Sequence, residues 1–275
     1  MEFQATIKNE VTYTGIGLHS GREVTITLKP APVNTGIVFI RIDLPHAPQV
    51  PAQVKYVTGT MKATTLEAGE AKVFTVEHLL AAFSALAVDN CFVEINSVEP
   101  PVADGSALPF VRLIEEAGIL VQDAPRRYVK ITEAKAVRVD DKFITILPYD
   151  GLRITFTSIN NHPLIGVQFG DYEITPETFT QEIAPARTIG FMHEIEALQA
   201  KGLALGGSLE NAIVYDDEKL LTPLRFSDEL VRHKILDVVG DLMLAGIVRG
   251  HVIAVKSSHA LNTELAKQIS ASVQS

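Results

Sequence analysis

The chain has a single cysteine, Cys91, and no apolar run long enough to cross a bilayer. One thiol excludes an intramolecular disulfide and any cysteine-rich zinc site. Within Asn90-Cys-Phe-Val-Glu-Ile it reads as a core strand residue. The longest apolar stretch, Leu79 to Val88, contains Ser84 and falls far short of a membrane span. Met1-Glu-Phe-Gln-Ala-Thr has neither the basic n-region nor the apolar h-region of a secretory signal, so a soluble, cytoplasmic protein is expected. Positive charge is scarce: 24 Lys and Arg stand against 33 Asp and Glu, a formal net charge of −9. That balance argues against a nucleic-acid partner, and a phosphate-bearing substrate would need a local basic patch.

What is present is enough for one large or two medium domains: 275 residues, 47% of them hydrophobic. Val24, Ile26 and Leu28 alternate with polar neighbours as a strand until Pro30-Ala-Pro stops the run. Further strands are expected at 36–42, across Pro51 to Tyr56, and from Asn90 to Asn96. Helices are expected at about Thr75–Ala87, with Thr75 as a candidate N-cap, and Ala107–Ala117. Residues 119–127 read as a linker, after which the order begins again. Strands are expected at Tyr128–Ile131, Lys142–Leu147 and Leu152–Thr157, then a helix from His193 to Lys201. Ala212–Tyr215 reads as a strand, Asp228–Leu244 as a long helix, His251–Lys256 as a strand, and a final helix starts near Leu261. Each half runs strands, histidine-bearing helix, strand, helix. The pattern predicts an α+β fold of two duplicated units, residues 1–122 and 127–275.

His233 and Asp237, in Val231-Arg-His-Lys-Ile-Leu-Asp-Val-Val-Gly-Asp241, are four apart and so share one helix face. Imidazole and carboxylate are both zinc ligands, and this spacing supplies half of a tetrahedral site. Thr75-Val-Glu-His-Leu offers a third ligand, His78, and beside it Glu77, a carboxylate able to act on a water. Each piece also has an ordinary structural reading. An i, i+4 His–Asp pair is commonly a helix-surface hydrogen bond, and Glu77 would complement a helix N-terminus. Two glycine-rich segments fail as nucleotide motifs. Gly15-Ile-Gly-Leu-His-Ser-Gly21 is one residue too long for a dinucleotide fingerprint and precedes a strand, and Gly202-Leu-Ala-Leu-Gly-Gly lacks the Gly-Lys-Ser/Thr of a P-loop.

Taken together, seven segments resemble the zinc-dependent UDP-3-O-acyl-N-acetylglucosamine deacetylases of lipid A synthesis. They are Thr14–Gly21, Thr75–Leu79, Asp104-Gly-Ser106 with Pro109-Phe110, Ala186-Arg-Thr188, Gly202–Ser208, Val231–Asp241 and Ser258-His-Ala-Leu-Asn262, in that order along nearly the whole chain. The resemblance implies two similar α+β sandwich domains packed face to face with the active site between them. It implies hydrolysis of the sugar N-acetyl group with release of acetate. His78, His233 and Asp237 would bind zinc, with ferrous iron the alternative in the cell, and Glu77 would be the general base. His259 would work on the protonated side of the reaction, held by Asp241, and Thr188 would help hold the oxyanion. Lys234 and His19 are the candidate substrate contacts. An insert would form an apolar passage for the acyl chain, with Ile189, Phe191, Ile195, Leu198, Leu203 and Leu205 as candidate lining; ordinary core packing explains the same residues equally well. Where some members carry a cysteine near the metal, this chain has Lys62-Ala63-Thr64, and Ala103 replaces a larger apolar residue.

Two other functions fit parts of the pattern: a zinc deacetylase for another N-acetylated sugar, and a nucleotide-sugar-binding protein without catalysis. The presence of both Glu77 and His259 argues against the second. A monomer acting on an acylated UDP-sugar, without a nucleic-acid partner or a membrane span, is the expectation.

Overall fold

The computed structural model describes residues 2–273. In the first half, β1 (Phe3–Ile7) is followed by β2 (Val11–Ile16), β3 (Glu23–Pro30), β4 (Ile37–Arg41) and β5 (Gln49–Pro51). A short meander, β6 (Val57–Gly59), β7 (Thr65–Ala68) and β8 (Ala71–Phe74), leads to helix α1 (Glu77–Ala85). Then come β9 (Cys91–Ile95), α2 (Leu108–Ala117) and β10 (Ile119–Pro125). The second half holds β11 (Tyr128–Lys130), β12 (Lys135–Val139), β13 (Lys142–Leu147), β14 (Leu152–Ile159) and β15 (Val167–Glu173). The short α3 (Pro176–Thr178) runs into a π-helical turn at Phe179–Ile183. It is followed by β16 (Ile189–Phe191), α4 (Met192–Gln199), β17 (Ile213–Tyr215), α5 (Glu229–Met243), β18 (Ile247–Val255) and α6 (His259–Val273).

The fold is α+β, and its two main sheets share one plan. The first has the order β2-β3-β9-β4-β5 and the second β12-β13-β18-β14-β15, with β11 added along β18. In both, the strand that follows the histidine-bearing helix lies in the middle. β9 is antiparallel to β3 and parallel to β4, and β18 is antiparallel to β13 and parallel to β14. One strand order built twice is what a duplicated unit produces. Alternation sets which face each strand buries: Val24, Ile26 and Leu28 of β3, and Cys91, Val93 and Ile95 of β9, are wholly inaccessible to solvent. Cys91 is thus a core residue.

The core helices are α1, α2, α5 and α6. α1 packs against α5, α2 against α1 and β2, and α6 against β12 and β13. Every residue of α1 except Ser84 is buried, as befits a helix enclosed on all sides. α5 presents Val231, Ile235, Leu236, Val238 and Val239 to one continuous core spanning both halves.

Three local expectations are corrected. Residues 119–125 are not linker: they form β10, whose Ile119, Leu120 and Val121 pair antiparallel with Ile7, Thr6 and Ala5 of β1. The segment Pro51–Tyr56 is not a strand, because β5 ends at Pro51 and a 3₁₀ turn follows at Val54–Tyr56. Thr75 does not cap α1: it sits at φ 57, and its hydroxyl donates to Glu99 Oε2 at 3.4 Å.

The two halves meet most closely where α5 crosses α1. A Cβ on Gly240 would lie 2.0 Å from the Glu77 carbonyl oxygen. Gly→Ala inside a helix ordinarily stabilises by about 1 kcal/mol. Gly240→Ala should do the reverse, lowering stability by roughly 1–3 kcal/mol or more through overpacking. Urea unfolding checks this; an unchanged or raised midpoint would remove the backbone contact as a constraint.

Candidate metal centre

The α1–α5 crossing brings together side chains from opposite halves of the chain. His78 stands in the first turn of α1, and His233 and Asp237 lie one turn apart on α5. Their rings and carboxylate converge: one ligand atom from each lies within 4.8 Å of the others, and all three residues are buried. The His78 and His233 rings meet edge to face, centroids 5.0 Å apart. His233 Nδ1 donates to the Ala186 carbonyl at 3.1 Å, which leaves the Nε2 lone pair facing Asp237 Oδ1 at 3.5 Å. His78 Nε2 is 3.9 Å from the same oxygen.

Asp237 Oδ1 is, among the described residues, the one buried side-chain polar atom without a hydrogen-bond partner. A buried carboxylate oxygen left unpaired is costly. Both imidazoles are held neutral. Burial and the neighbouring His233 take His78 down to about 3, and burial also lowers His233. Burial would raise Asp237, but the cationic Lys234 outweighs it, aided by the histidines, and keeps the carboxylate ionised. Two neutral imidazoles and an ionised carboxylate with an unpaired oxygen fit a divalent cation such as zinc. Lys234 Nζ donates to the other oxygen, Asp237 Oδ2, at 2.7 Å.

Two acid–base groups flank this cluster. Glu77 Oε2 accepts the Thr64 backbone N–H at 3.1 Å, while Oε1 faces His259 Nε2 at 4.0 Å. Burial pushes the Glu77 carboxyl up to about 7, with Asp241 and Asp237 adding to the shift against the pull of His259. His259 opens α6, and its Nδ1 is 2.8 Å from Asp241 Oδ2. Burial alone would lower that imidazole, but Asp241, Asp237 and Glu77 raise it to about 10, so it is a cation at neutral pH. Asp241, wholly buried, is held from two further sides: Thr64 Oγ1 donates to Oδ1 at 2.6 Å and Asn262 Nδ2 to Oδ2 at 2.9 Å.

Beside the centre, a cavity of about 290 Å³ runs under the segment between β16 and β17. Thr188, His19, Ile189, Ile195 and Leu198 line it. Phe191 and Leu205 do not. Phe191 packs into a second small core with Ile213, Tyr215 and Leu230, and Leu205 is half exposed, its backbone N–H donating to the His19 carbonyl at 3.2 Å. Leu203 is likewise absent from the lining. His19 is buried against Ala204, whose N–H reaches its Nδ1 at 3.3 Å; it belongs to the cavity wall and not to the metal cluster.

Several supporting residues escaped the sequence reading. Arg187 Nε donates to Glu229 Oε1 at 2.9 Å, and its backbone N–H reaches the same oxygen at 3.0 Å. This buried pair fixes the neighbouring Ala186 carbonyl and Thr188 against the start of α5. Glu99, with no exposed surface, accepts the backbone N–H groups of His19 and Ser20 at 3.1 and 2.6 Å on Oε1 and so shapes the Gly17–Gly21 loop. Adjacency inside the Ala186-Arg-Thr188 motif was the available signal for Arg187; nothing local marks Glu99 or Thr64.

The fold and the cluster define a class: an α+β protein whose candidate metal site is shared between two halves of the chain. The model of the UDP-3-O-acyl N-acetylglycosamine deacetylase family matches residues 4–271. A UDP-3-O-acyl-N-acetylglucosamine deacetylase of Hahella chejuensis is 46% identical over 271 residues, covering 97% of this chain and 90% of its own length. A protein of the same name from Stenotrophomonas maltophilia is 47% identical, covering 98% and 90%. Another from Geotalea uraniireducens is 48% identical, covering 95% and 86%. The chain belongs to the UDP-3-O-acyl N-acetylglycosamine deacetylase family.

Protonation links the centre to stability in metal-stripped protein. A histidine whose folded pKa is raised adds stability that is complete below its ordinary value and is lost as pH rises through the folded one. For His259 that window runs from about 6.5 to about 10. Thermal unfolding of chelator-treated protein should therefore show Tm falling across this range. His259→Gln should flatten the slope, and an equal slope in both proteins would sink the assignment.

Proposed function

We propose that this chain hydrolyses the N-acetyl group of UDP-3-O-acyl-N-acetylglucosamine, releasing acetate and the free sugar amine, an early committed step of lipid A biosynthesis. The observation that carries the reading is the convergence of His78, His233 and the unpaired Asp237 Oδ1 between Glu77 and a charged His259. In this reading the three residues hold one zinc ion, with ferrous iron as the in-cell alternative. When bound, the metal supplies Lewis-acid polarisation of the acetamide carbonyl and a lowered pKa for the attacking water.

The chain's own residues carry the protons. Glu77, raised to about 7, accepts the proton of the attacking water as it adds to the carbonyl carbon. Thr188, on the cavity lining, supports the developing oxyanion. His259, held charged by Asp241, gives its proton to the departing amine nitrogen as the C–N bond breaks. Lys234 lies against Asp237, partly open to solvent, where it meets the anionic part of the substrate. The cavity lined by Ile189, Ile195 and Leu198 takes the acyl chain. No helix among the described residues is long and apolar enough to cross a membrane. We further place the division into domains after β10, at residues 126–127, a few residues beyond the end at 122 expected from the sequence, and the enzyme as a monomer in the cytoplasm of a Gram-negative-type bacterium.

His78→Ala, His233→Ala and Asp237→Ala should each lower zinc content and abolish acetate release, because three ligands are the minimum for a tight catalytic site. Glu77→Ala should keep its metal and lose on the order of 10²–10⁴ in kcat. Full metal with full activity in any of the first three would remove that residue from the centre.

The acyl passage has its own test. Each buried methylene is worth about 0.8 kcal/mol, so a long-chain substrate should exceed an unacylated UDP-sugar by orders of magnitude in kcat/KM. Leu198→Gln should penalise the long-chain substrate far more than the unacylated one and leave metal content untouched. Equal turnover of both substrates by the parent enzyme would favour a deacetylase of simpler N-acetyl sugars.

A further inference from the structure

The cavity beside the metal centre has walls from both halves of the chain, and one ion pair joins them across it. Lys62, on the loop between β6 and β7, donates from Nζ to Glu194 Oε2 of α4 at 2.7 Å. Both residues line the cavity, and both side chains keep part of their surface in solvent, 48% and 41%. Two independent features set this pair apart from an incidental surface contact. Lys62 sits at φ 65, a left-handed conformation that costs a non-glycine residue energy and persists only where the surroundings impose it. Helix α4 has no buried residue, so its own packing does little to hold it over the cavity. The ends of the segment are anchored elsewhere: β16 and β17 pair with each other, and Leu205 and Gly206 bond to His19 and Leu18. Between those anchors, Lys62 ties the helix to the opposite half.

Lys62 is also two residues from Thr64, which bonds both Glu77 and Asp241. The loop that bears the clasp therefore ends in the catalytic machinery. A chain lying in the cavity would pass beneath α4, so anything that holds α4 down slows its escape.

We propose that Lys62 is a specificity-determining residue: its ion pair with Glu194 clasps α4 over the apolar cavity and sets how strongly long acyl chains are preferred over short ones. The proposal rests on the acyl-passage reading given above. An exposed pair is weak and screened by salt, which suits a clasp that must open each turnover and limits its effect to about two- to fivefold.

The experiment measures kcat/KM for 3-O-tetradecanoyl and 3-O-butyryl UDP-N-acetylglucosamine and takes their ratio. Lys62→Met and Glu194→Gln, which keep side-chain length, should each lower that ratio two- to fivefold. The double variant should lower it no further, since both changes remove one interaction. Exchanging the charges, with Lys62→Glu and Glu194→Lys together, should restore a substantial part of the loss. Raising salt should lower the ratio in the parent and leave the double variant, Lys62→Met with Glu194→Gln, unmoved. A merely structural role would depress both substrates alike and leave the ratio unchanged, which would overturn the clasp, as would additive single effects. Failure of the underlying passage reading looks different: the parent itself would then show no preference for the longer chain.

Discussion

The contact on which the centre depends involves no side chain on one partner. At Gly240 the α5 backbone lies against the α1 backbone at Glu77, closer than any Cβ permits. His233 and Asp237 lie seven and three residues before that glycine on one stripe of α5, and Asp241 lies one turn beyond Asp237, so the face that touches α1 also carries the candidate ligands and, at its edge, the His259 partner. On the α1 side, the contact falls at the helix's first residue. There His78 turns toward α5, and the helix N-terminus adds its positive partial charge where carboxylates gather. Packing and chemistry are thus one geometric fact: separating the helices would dismantle the ligand set before disturbing either sheet.

Charge explains why this arrangement suits a cation. Three buried carboxylates, Glu77, Asp237 and Asp241, face two side-chain cations, Lys234 and His259, while His78 and His233 are held neutral. Each carboxylate is treated differently. Asp241 has both oxygens engaged, by three donors. Asp237 has one oxygen on Lys234 and one unpaired. Glu77 has one oxygen on a backbone N–H and one turned to the centre. Those states suit the three roles proposed for them, orienting a histidine, binding a metal and accepting a proton, and neighbours set them, since the three side chains are chemically alike.

How much of this could be read from the chain follows the range of the interactions. The period-two burial of β3 and the apolar helices α2 and α5 are local properties, legible from residue order. The i, i+4 relation of His233 and Asp237 was legible too, because a helix fixes it. β10 was misread because its pairing with β1 is a contact between the two ends of the first unit, and Asp123-Ala-Pro at its close looks like a linker. Thr75 was misread because a buried carboxylate from beyond β9, Glu99, captured its hydroxyl and left the helix start uncapped by it. Phe191 illustrates a third limit. Its apolar character announces burial but not against which surface, and the small core with Tyr215 and Leu230 claims it instead of the cavity.

Glu99 shows how the second half's insert becomes part of a site begun in the first. By gathering the N–H groups of His19 and Ser20, it bends the Gly17–Gly21 loop into a shape that leaves no room for a Cβ at Gly17. That loop then receives Leu205 and Gly206, and a Cβ at Gly206 would strike the Gly17 carbonyl at 2.2 Å. The glycines that first suggested a nucleotide fingerprint serve this backbone-to-backbone docking. One cavity wall is therefore built by a carboxylate that never touches the cavity, acting through two glycine-rich loops from opposite halves. Lys62 adds to the lining from the Lys62–Thr64 segment, whose far end binds Glu77 and Asp241. The cavity and the candidate metal centre share a frame: one loop lines the first through Lys62 and bonds Glu77 and Asp241 of the second through Thr64.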